Sequence, residues 1–299
     1  MSSHATIADR VAEYENPIVD IITNDQSHPE WLIPGLMLQG WLGCLAGAPS
    51  SGKSFISYTL ALAVASGQPA LGGLIPAGPP RKVLYFDQEN AEQDRNRYVS
   101  QLYLGLARAN GVEPDLALLH QNFWPVGFWL GDPQWEETAR EFVLRLQPQL
   151  IVFDTATPCF DIRDENSNAE AGQVINKLTR LQRLVNPTAT IVVLRHENVR
   201  KKEDKGQRRS MRGAKGWLSW THGTIYVIRT GGRPRKYNLF LSRIEPDKVR
   251  AYGLQETYFL TPEAHGPESD PKRALVLHAS LKASPEHKKK LAEEGEDED

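Results

Sequence analysis

Four stretches of the chain are apolar without alternation: Leu42-Gly43-Cys44-Leu45-Ala46, Val83-Leu84-Tyr85-Phe86, Leu150-Ile151-Val152-Phe153 and Ile191-Val192-Val193-Leu194. Short runs that are apolar on both faces predict strands covered on both sides, as in a parallel sheet sandwiched by helices. Helical segments stand between them. Phe55 to Ala65 follows the first run, and Ala91 to Asn110 follows the second with Tyr98, Leu102 and Leu106 at helical spacing. Gln134 to Arg145 precedes the third run and Ala171 to Val185 follows it. The alternation predicts an α/β fold with a mainly parallel central sheet flanked by helices. At Thr224 the pattern changes. Thr224 to Arg229 and Tyr237 to Arg243 read as strands joined by a Gly231-Gly232-Arg233-Pro234 turn, with a third short strand from Thr257 to Leu260. Strands in succession without helices predict a C-terminal antiparallel hairpin extension.

The remaining segments have weaker patterns. Residues 1–29 are polar apart from Ile18, Val19, Ile21 and Ile22, and read as an arm. Trp31 to Leu36 is extended and ends in a Pro-Gly turn, while Gly67 to Pro80 and residues 158–170 read as loops. Phe123, Trp124, Phe128 and Trp129 form an aromatic cluster without interleaved basic residues, which favours packing over base stacking. Beyond Glu263 the chain is rich in Pro, His, Lys and Glu and ends in Glu293-Glu294-Gly295-Glu296-Asp297-Glu298-Asp299, so residues 263–299 read as a disordered, acidic-ended tail. One domain over residues 30–262 is therefore expected, which suits 299 residues of which 40% are hydrophobic. Cys44 and Cys159 lie in or beside core strands without metal-ligand spacing, as small buried side chains in a reducing compartment. No apolar run approaches the roughly 18 residues of a membrane helix and no signal-peptide pattern opens the chain, so a cytoplasmic location is expected.

Chemistry enters at the end of the first strand. Gly47-Ala48-Pro49-Ser50-Ser51-Gly52-Lys53-Ser54 is G-x-x-x-x-G-K-[ST], a phosphate-binding loop, with Phe55 opening the helix behind it. Glycines let successive backbone N–H groups turn inward on phosphate oxygens, Lys53 reaches the β- and γ-phosphates of ATP, and Ser54 offers a hydroxyl to Mg²⁺. The helix dipole adds positive potential. The second strand ends on Asp87-Gln88-Glu89-Asn90, placing Asp87 and Glu89 where ligands bind in open α/β sheets. The third ends on Asp154, the Walker B pattern that holds Mg²⁺. The fourth ends on Arg195-His196-Glu197. A basic loop follows, containing Arg200, Lys201, Lys202, Lys205, Arg208, Arg209, Arg212 and Lys215, with glycines and no apolar period from residue 198 to 210. Net charge is only −2, but this local density after a core strand favours nucleic-acid binding.

This order of features resembles the RecA-like P-loop ATPases, most closely the RepA-type plasmid replicative helicases, with DnaB-type helicases more distant. The resemblance covers roughly residues 30–246, including the lead-in Trp31-Leu32-Ile33-Pro34-Gly35-Leu36 and Gly40-Trp41-Leu42-Gly43-Cys44-Leu45-Ala46-Gly47. It implies that Glu89, with Asp87 the competing candidate, polarises the attacking water. His196 corresponds to the strand-end residue that senses the γ-phosphate. Arg212-Gly213 matches an Arg-Gly of the RepA-type proteins, whose arginine finger follows about ten residues later, where this chain has His222. DnaB-type proteins use Lys-x-Arg-x-Gly-Pro, against which Leu241-Ser242-Arg243-Ile244-Glu245-Pro246 keeps the arginine and proline. Arg243 is the leading finger candidate and Arg229 the second. The implied protein is an ATP-hydrolysing motor acting on single-stranded DNA as a hexameric ring; the tail from residue 263 reads equally as a site that recruits a replication or loading partner and as a plain solubilising tail. The other reading is an ATP-dependent scaffold or switch like KaiC or the recombination mediators, which binds DNA or a protein without unwinding.

Overall fold

A computed structural model of the chain describes residues 30–34, 36–127, 134–164, 167–185, 189–196, 217, 221–229, 242–247, 257–267, 273–283 and 287–288. All of these but Glu30 belong to one compact unit, Trp31–Asp299. The expected arm at residues 1–29 lies outside the described residues, as do the whole basic loop from Arg200 to Lys215 and the turn at 231–234.

Among the described residues, nine strands form one sheet. Six of them are parallel, β3 (Leu42–Gly47), β4 (Val83–Asp87), β5 (Phe123–Val126), β6 (Leu150–Asp154), β7 (Thr190–His196) and β8 (Gly223–Arg229), in the spatial order β5-β4-β6-β7-β3-β8. Beyond β8 the sheet continues antiparallel through β9 (Ser242–Asp247), β10 (Tyr258–His265) and β11 (Ala274–Ser280). A small ribbon, β1 (Trp31–Ile33) with β2 (Met37–Leu38), leads into β3. Every residue of β3, β4 and β6 is buried, which is why these strands lack alternation.

Two apolar clusters cover the two faces. On one, α1 (Lys53–Ser66) and α2 (Glu92–Ala109) supply Ile56, Leu60, Leu62, Leu102 and Leu106 against Leu45, Tyr85, Val152 and Leu194. The short helix α3 (Leu116–Asn122) leads into β5 on the same side. On the other face, α4 (Trp135–Leu146), α5 (Ala156–Phe160) and α6 (Asn168–Gln182) supply Ala139, Val143, Phe160, Val174 and Leu178. Gln182 pins α6 to the sheet base. Its buried Nε2 donates to the carbonyls of Gly40, Trp41 and Ala189 at 3.2, 3.2 and 3.0 Å.

The expected boundary between domain and tail at 262/263 does not match the strands. It falls inside β10, and residues 274–280 form the edge strand of the sheet, with Leu275 and Leu277 in the core. The tail composition hid the run Ala274-Leu275-Val276-Leu277. Helix α2 lets β11 approach through Gly105, where a Cβ would lie 1.9 Å from the backbone oxygen of Leu275. Of the expected second hairpin strand Tyr237–Arg243, residues 237–241 lie outside the described residues, and the described strand runs Ser242–Asp247. That places Pro246 and Pro262 inside strands. Among the described residues β9 and β10 pair with each other only along Ser242–Ile244 and Tyr258–Leu260, so each proline sits where its strand has one described neighbour, the edge-like setting that prolines in sheets favour.

Candidate active site

The site is built at the C-terminal ends of β3, β4, β6 and β7. The backbone turns at Ser50 (φ 58°) and at Gly52, whose φ of 94° is costly for any residue with a Cβ. Gly52 is the N-cap of α1 and supplies no side-chain capping bond. The first N–H groups of α1 thus face the loop uncapped, as an anion site requires. Lys53 is buried at 5% exposure, its Nζ donating to the carbonyls of Gly47 and Ala48 at 3.1 and 2.9 Å. Ser51, also buried, has a hydroxyl without a hydrogen-bond partner. A loop with an unmet hydroxyl, an uncapped helix start and a buried ammonium fits a polyphosphate.

Asp154 ends β6 directly beside Asp87 of β4. It is fully buried, one carboxylate oxygen accepts from the Tyr85 hydroxyl at 2.8 Å, and the other has no partner. Burial first, then the neighbouring negative charge of Asp87, push its pKa from 3.8 up to about 7, while bonds from Tyr85 and from the Ser54 hydroxyl pull it down. A buried carboxylate that touches Ser54 and keeps an unmet oxygen fits a divalent cation. Mg²⁺ would be held there by Ser54 and Asp154.

Asp87 and Glu89, alike in sequence, differ in their surroundings. Asp87 is buried, and its oxygens accept from the Tyr58 hydroxyl at 2.6 Å, from the backbone N–H groups of Glu89 and Asn90 at 3.1 and 2.9 Å, and from the Asn90 amide. Glu89 is exposed at the mouth of the site. Tyr58 and Tyr85 stack at 4.0 Å, both with hydroxyl pKa values driven far up by burial and then by the neighbouring carboxylates, so each remains a donor.

His196 ends β7 beside Gly47 in the sheet, its Nδ1 3.5 Å from Lys53 Nζ. The preceding Arg195 faces the other side and stacks over Trp217 at 4.2 Å. Sequence reasoning did not single out Arg195 or Trp217; a buried arginine in a core strand was the available signal. Cys44 and Cys159 are buried free thiols, burial pushing Cys44 up to about 12.

The finger candidates separate. His222 is tied inside its own subunit: its Nδ1 accepts from the Leu42 N–H at 2.8 Å and its own N–H donates to the Leu42 carbonyl, at the opposite end of β3 from the phosphate loop. Arg243 lies in register between Ile228 and Phe259, and Arg229 ends β8, both at the phosphate-loop end of the sheet. Lys201, Lys202, Lys205, Arg208, Arg209, Arg212 and Lys215 lie outside the described residues. No described helix is long and apolar enough to cross a membrane.

A family model described as AAA domain matches residues 8–202. No curated protein matches the sequence significantly. Among solved structures, a KaiC-like protein from the hyperthermophilic archaeon Pyrococcus horikoshii OT3 is 15% identical, with 82% of this chain and 96% of that chain covered at a TM-score of 0.49. A RadB recombinase is 17% identical, with 75% of this chain and 88% of that chain covered at a TM-score of 0.46. The phosphate loop between β3 and α1, the aspartate that ends β6 and the order of the parallel strands fit a RecA-like P-loop fold, and with the match over residues 8–202 the chain belongs to the AAA domain family.

Proposed function

We propose that this protein is an ATP-hydrolysing motor of RepA-like type, a hexameric ring that moves on single-stranded DNA. The observation that carries the hydrolytic part is the convergence, at one sheet end, of the uncapped α1 start, buried Lys53, the unmet oxygen of Asp154 and exposed Glu89. Residues Gly47 to Phe55 would hold the triphosphate, with Ser54 and Asp154 holding Mg²⁺. When bound, Mg²⁺ supplies charge neutralisation on the transferred phosphoryl group. Glu89 orients a water and accepts its proton as the oxygen attacks the γ-phosphorus and the β–γ bridge bond breaks toward ADP. Lys53, and Arg243 from the adjoining subunit, offset the charge that develops on the phosphoryl oxygens. A finger supplied in trans requires head-to-tail contacts, which close into a ring or run on as a filament.

His196 supports the motor reading, since it touches Lys53 on one side and is followed in sequence by the basic segment on the other. Loss of the γ-phosphate would then reach Arg208, Arg209 and Arg212 through β7. The second reading, an ATP-dependent scaffold or switch, is favoured by one observation: the position that matches the RepA-type finger holds His222, whose ring is engaged by Leu42. Steady-state ATP hydrolysis with and without single-stranded DNA separates the two, alongside Lys53→Ala and a variant with Arg208, Arg209 and Arg212 changed to Ala. The motor predicts DNA-stimulated hydrolysis lost in both variants. Slow hydrolysis indifferent to DNA and to the arginine changes would replace the motor by the switch.

A further inference from the structure

We propose that Asp87 and Tyr58 are positioning residues for Glu89: a clamp that ties the turn bearing the hydrolytic carboxylate to the phosphate-loop helix. The proposal rests on the assignment of Glu89 to water activation. Its ground is the set of hydrogen bonds that converge on Asp87. One oxygen collects the N–H groups of Glu89 and Asn90, the two residues whose backbone sets where the Glu89 side chain starts. The Asn90 amide reaches both oxygens, at 3.2 and 3.0 Å, closing the turn on itself. The second oxygen also receives the Tyr58 hydroxyl at 2.6 Å, which comes from α1 and not from the turn.

Tyr58 is held in turn. Its ring lies on Tyr85 with planes 10° apart, and the Tyr85 hydroxyl bonds Asp154 and contacts Ser57 of α1. Helix α1 therefore reaches the ends of two strands through two adjacent tyrosines, Tyr85 to Asp154 and Tyr58 to Asp87. Lys53 and Tyr58 share that helix, so a displacement of its first turn by nucleotide is passed to the Glu89 turn through a buried hydrogen bond. Asp87 itself has no part in proton transfer, because its oxygens are already engaged by donors and it is buried at 1% exposure. A carboxylate held this way fixes geometry, and misplacing a catalytic group by about an ångström costs up to ~100-fold in rate.

The test uses the full chain with Tyr58→Phe, Asp87→Asn and Glu89→Gln, reading kcat for ATP, Kd for a fluorescent ATP analogue with Mg²⁺, and the thermal midpoint. Tyr58→Phe keeps the ring stack and removes the one hydroxyl that joins α1 to the turn, so it stays informative if Asp87→Asn fails to fold. The expected result is a fall of about tenfold in kcat per nucleotide-binding site for Tyr58→Phe, with Kd changed less than about twofold and the binding stoichiometry unchanged, a combination that lost folding alone does not produce. An unchanged kcat in Tyr58→Phe while Glu89→Gln abolishes hydrolysis would overturn the clamp and leave the Glu89 assignment standing. Parallel loss of Kd and kcat would overturn it also, since the tyrosine would then act on nucleotide binding. Full hydrolysis in Glu89→Gln would remove the assignment itself, and the clamp with it.

Discussion

Replacing Asp154 by asparagine should make the protein more stable and inactive. In the folded, metal-free protein this carboxylate has its pKa pushed from 3.8 up to about 7 by burial and by Asp87, so ionising it works against folding. At about 1.4 kcal/mol per pKa unit, the penalty at pH 8 is on the order of 4 kcal/mol. Asparagine has the same shape and no charge. Its carbonyl accepts the Tyr85 hydroxyl, while its NH₂ meets the space beside the second oxygen and recovers only part of the gain, leaving about 2 kcal/mol or ~5 °C in midpoint. The pH dependence has a definite sign. The folded-state pKa is raised above the unfolded one, so between about pH 4 and 7 the folded chain keeps a proton that the unfolded chain has lost. The stability contribution of Asp154 is full below pH 4, declines as pH rises to 7 and is flat above. The advantage of Asp154→Asn in thermal melts with chelator should therefore be largest at pH 8 and shrink steadily toward pH 5. Saturating Mg²⁺ and ATP should reverse the order, because only the wild type gains from the cation. A variant less stable than wild type at pH 8 in chelator, or an advantage independent of pH, would refute the account.

Two further substitutions probe the frame around the site. Gly105→Ala gains up to about 1 kcal/mol in helix propensity, but its methyl would lie 1.9 Å from the Leu275 carbonyl and overpacking costs roughly 1–3 kcal/mol, so the melting midpoint should fall; a rise would show that β11 does not pack on α2 this closely. Gln182→Leu removes the donor shared by the carbonyls of Gly40, Trp41 and Ala189; Trp41 keeps the Ile191 N–H at 2.7 Å and Gly40 is only half-buried, so the unmet buried carbonyl of Ala189 sets the cost at about 1–3 kcal/mol in denaturant unfolding, and a neutral result would mean that water replaces the amide.

Much of this was legible in the sequence because burial on both faces leaves unbroken apolar runs, and four of the six parallel strands announce themselves that way. The phosphate loop was legible for a different reason: its glycines and lysine answer to a ligand, so they stay together along the chain. Elements whose stability is supplied from outside were harder. β5 is short and read as an aromatic cluster, although Phe123 enters the core while Trp124 packs on the opposite face. β11 depends on Gly105 and on its partner β10, and its composition resembles that of the tail around it. The choice between Asp87 and Glu89 could not be made from spacing, because what separates them is which one Tyr58 and Asn90 engage.

The stacking of Arg195 on Trp217 bears on how this chain can vary. Strand β7 ends at His196, and Trp217 returns to the neighbouring Arg195, so the intervening residues 197–216 begin and end at one place on a rigid sheet. For a segment anchored at both ends, chain entropy rises only logarithmically with length, and doubling it costs about 0.6 kcal/mol. Insertions, deletions and wholesale exchange of its basic residues should leave the sheet, and the candidate site on it, nearly as stable as before. The composition of residues 197–216 can then change without cost to the sheet, provided Arg195 and Trp217 are kept.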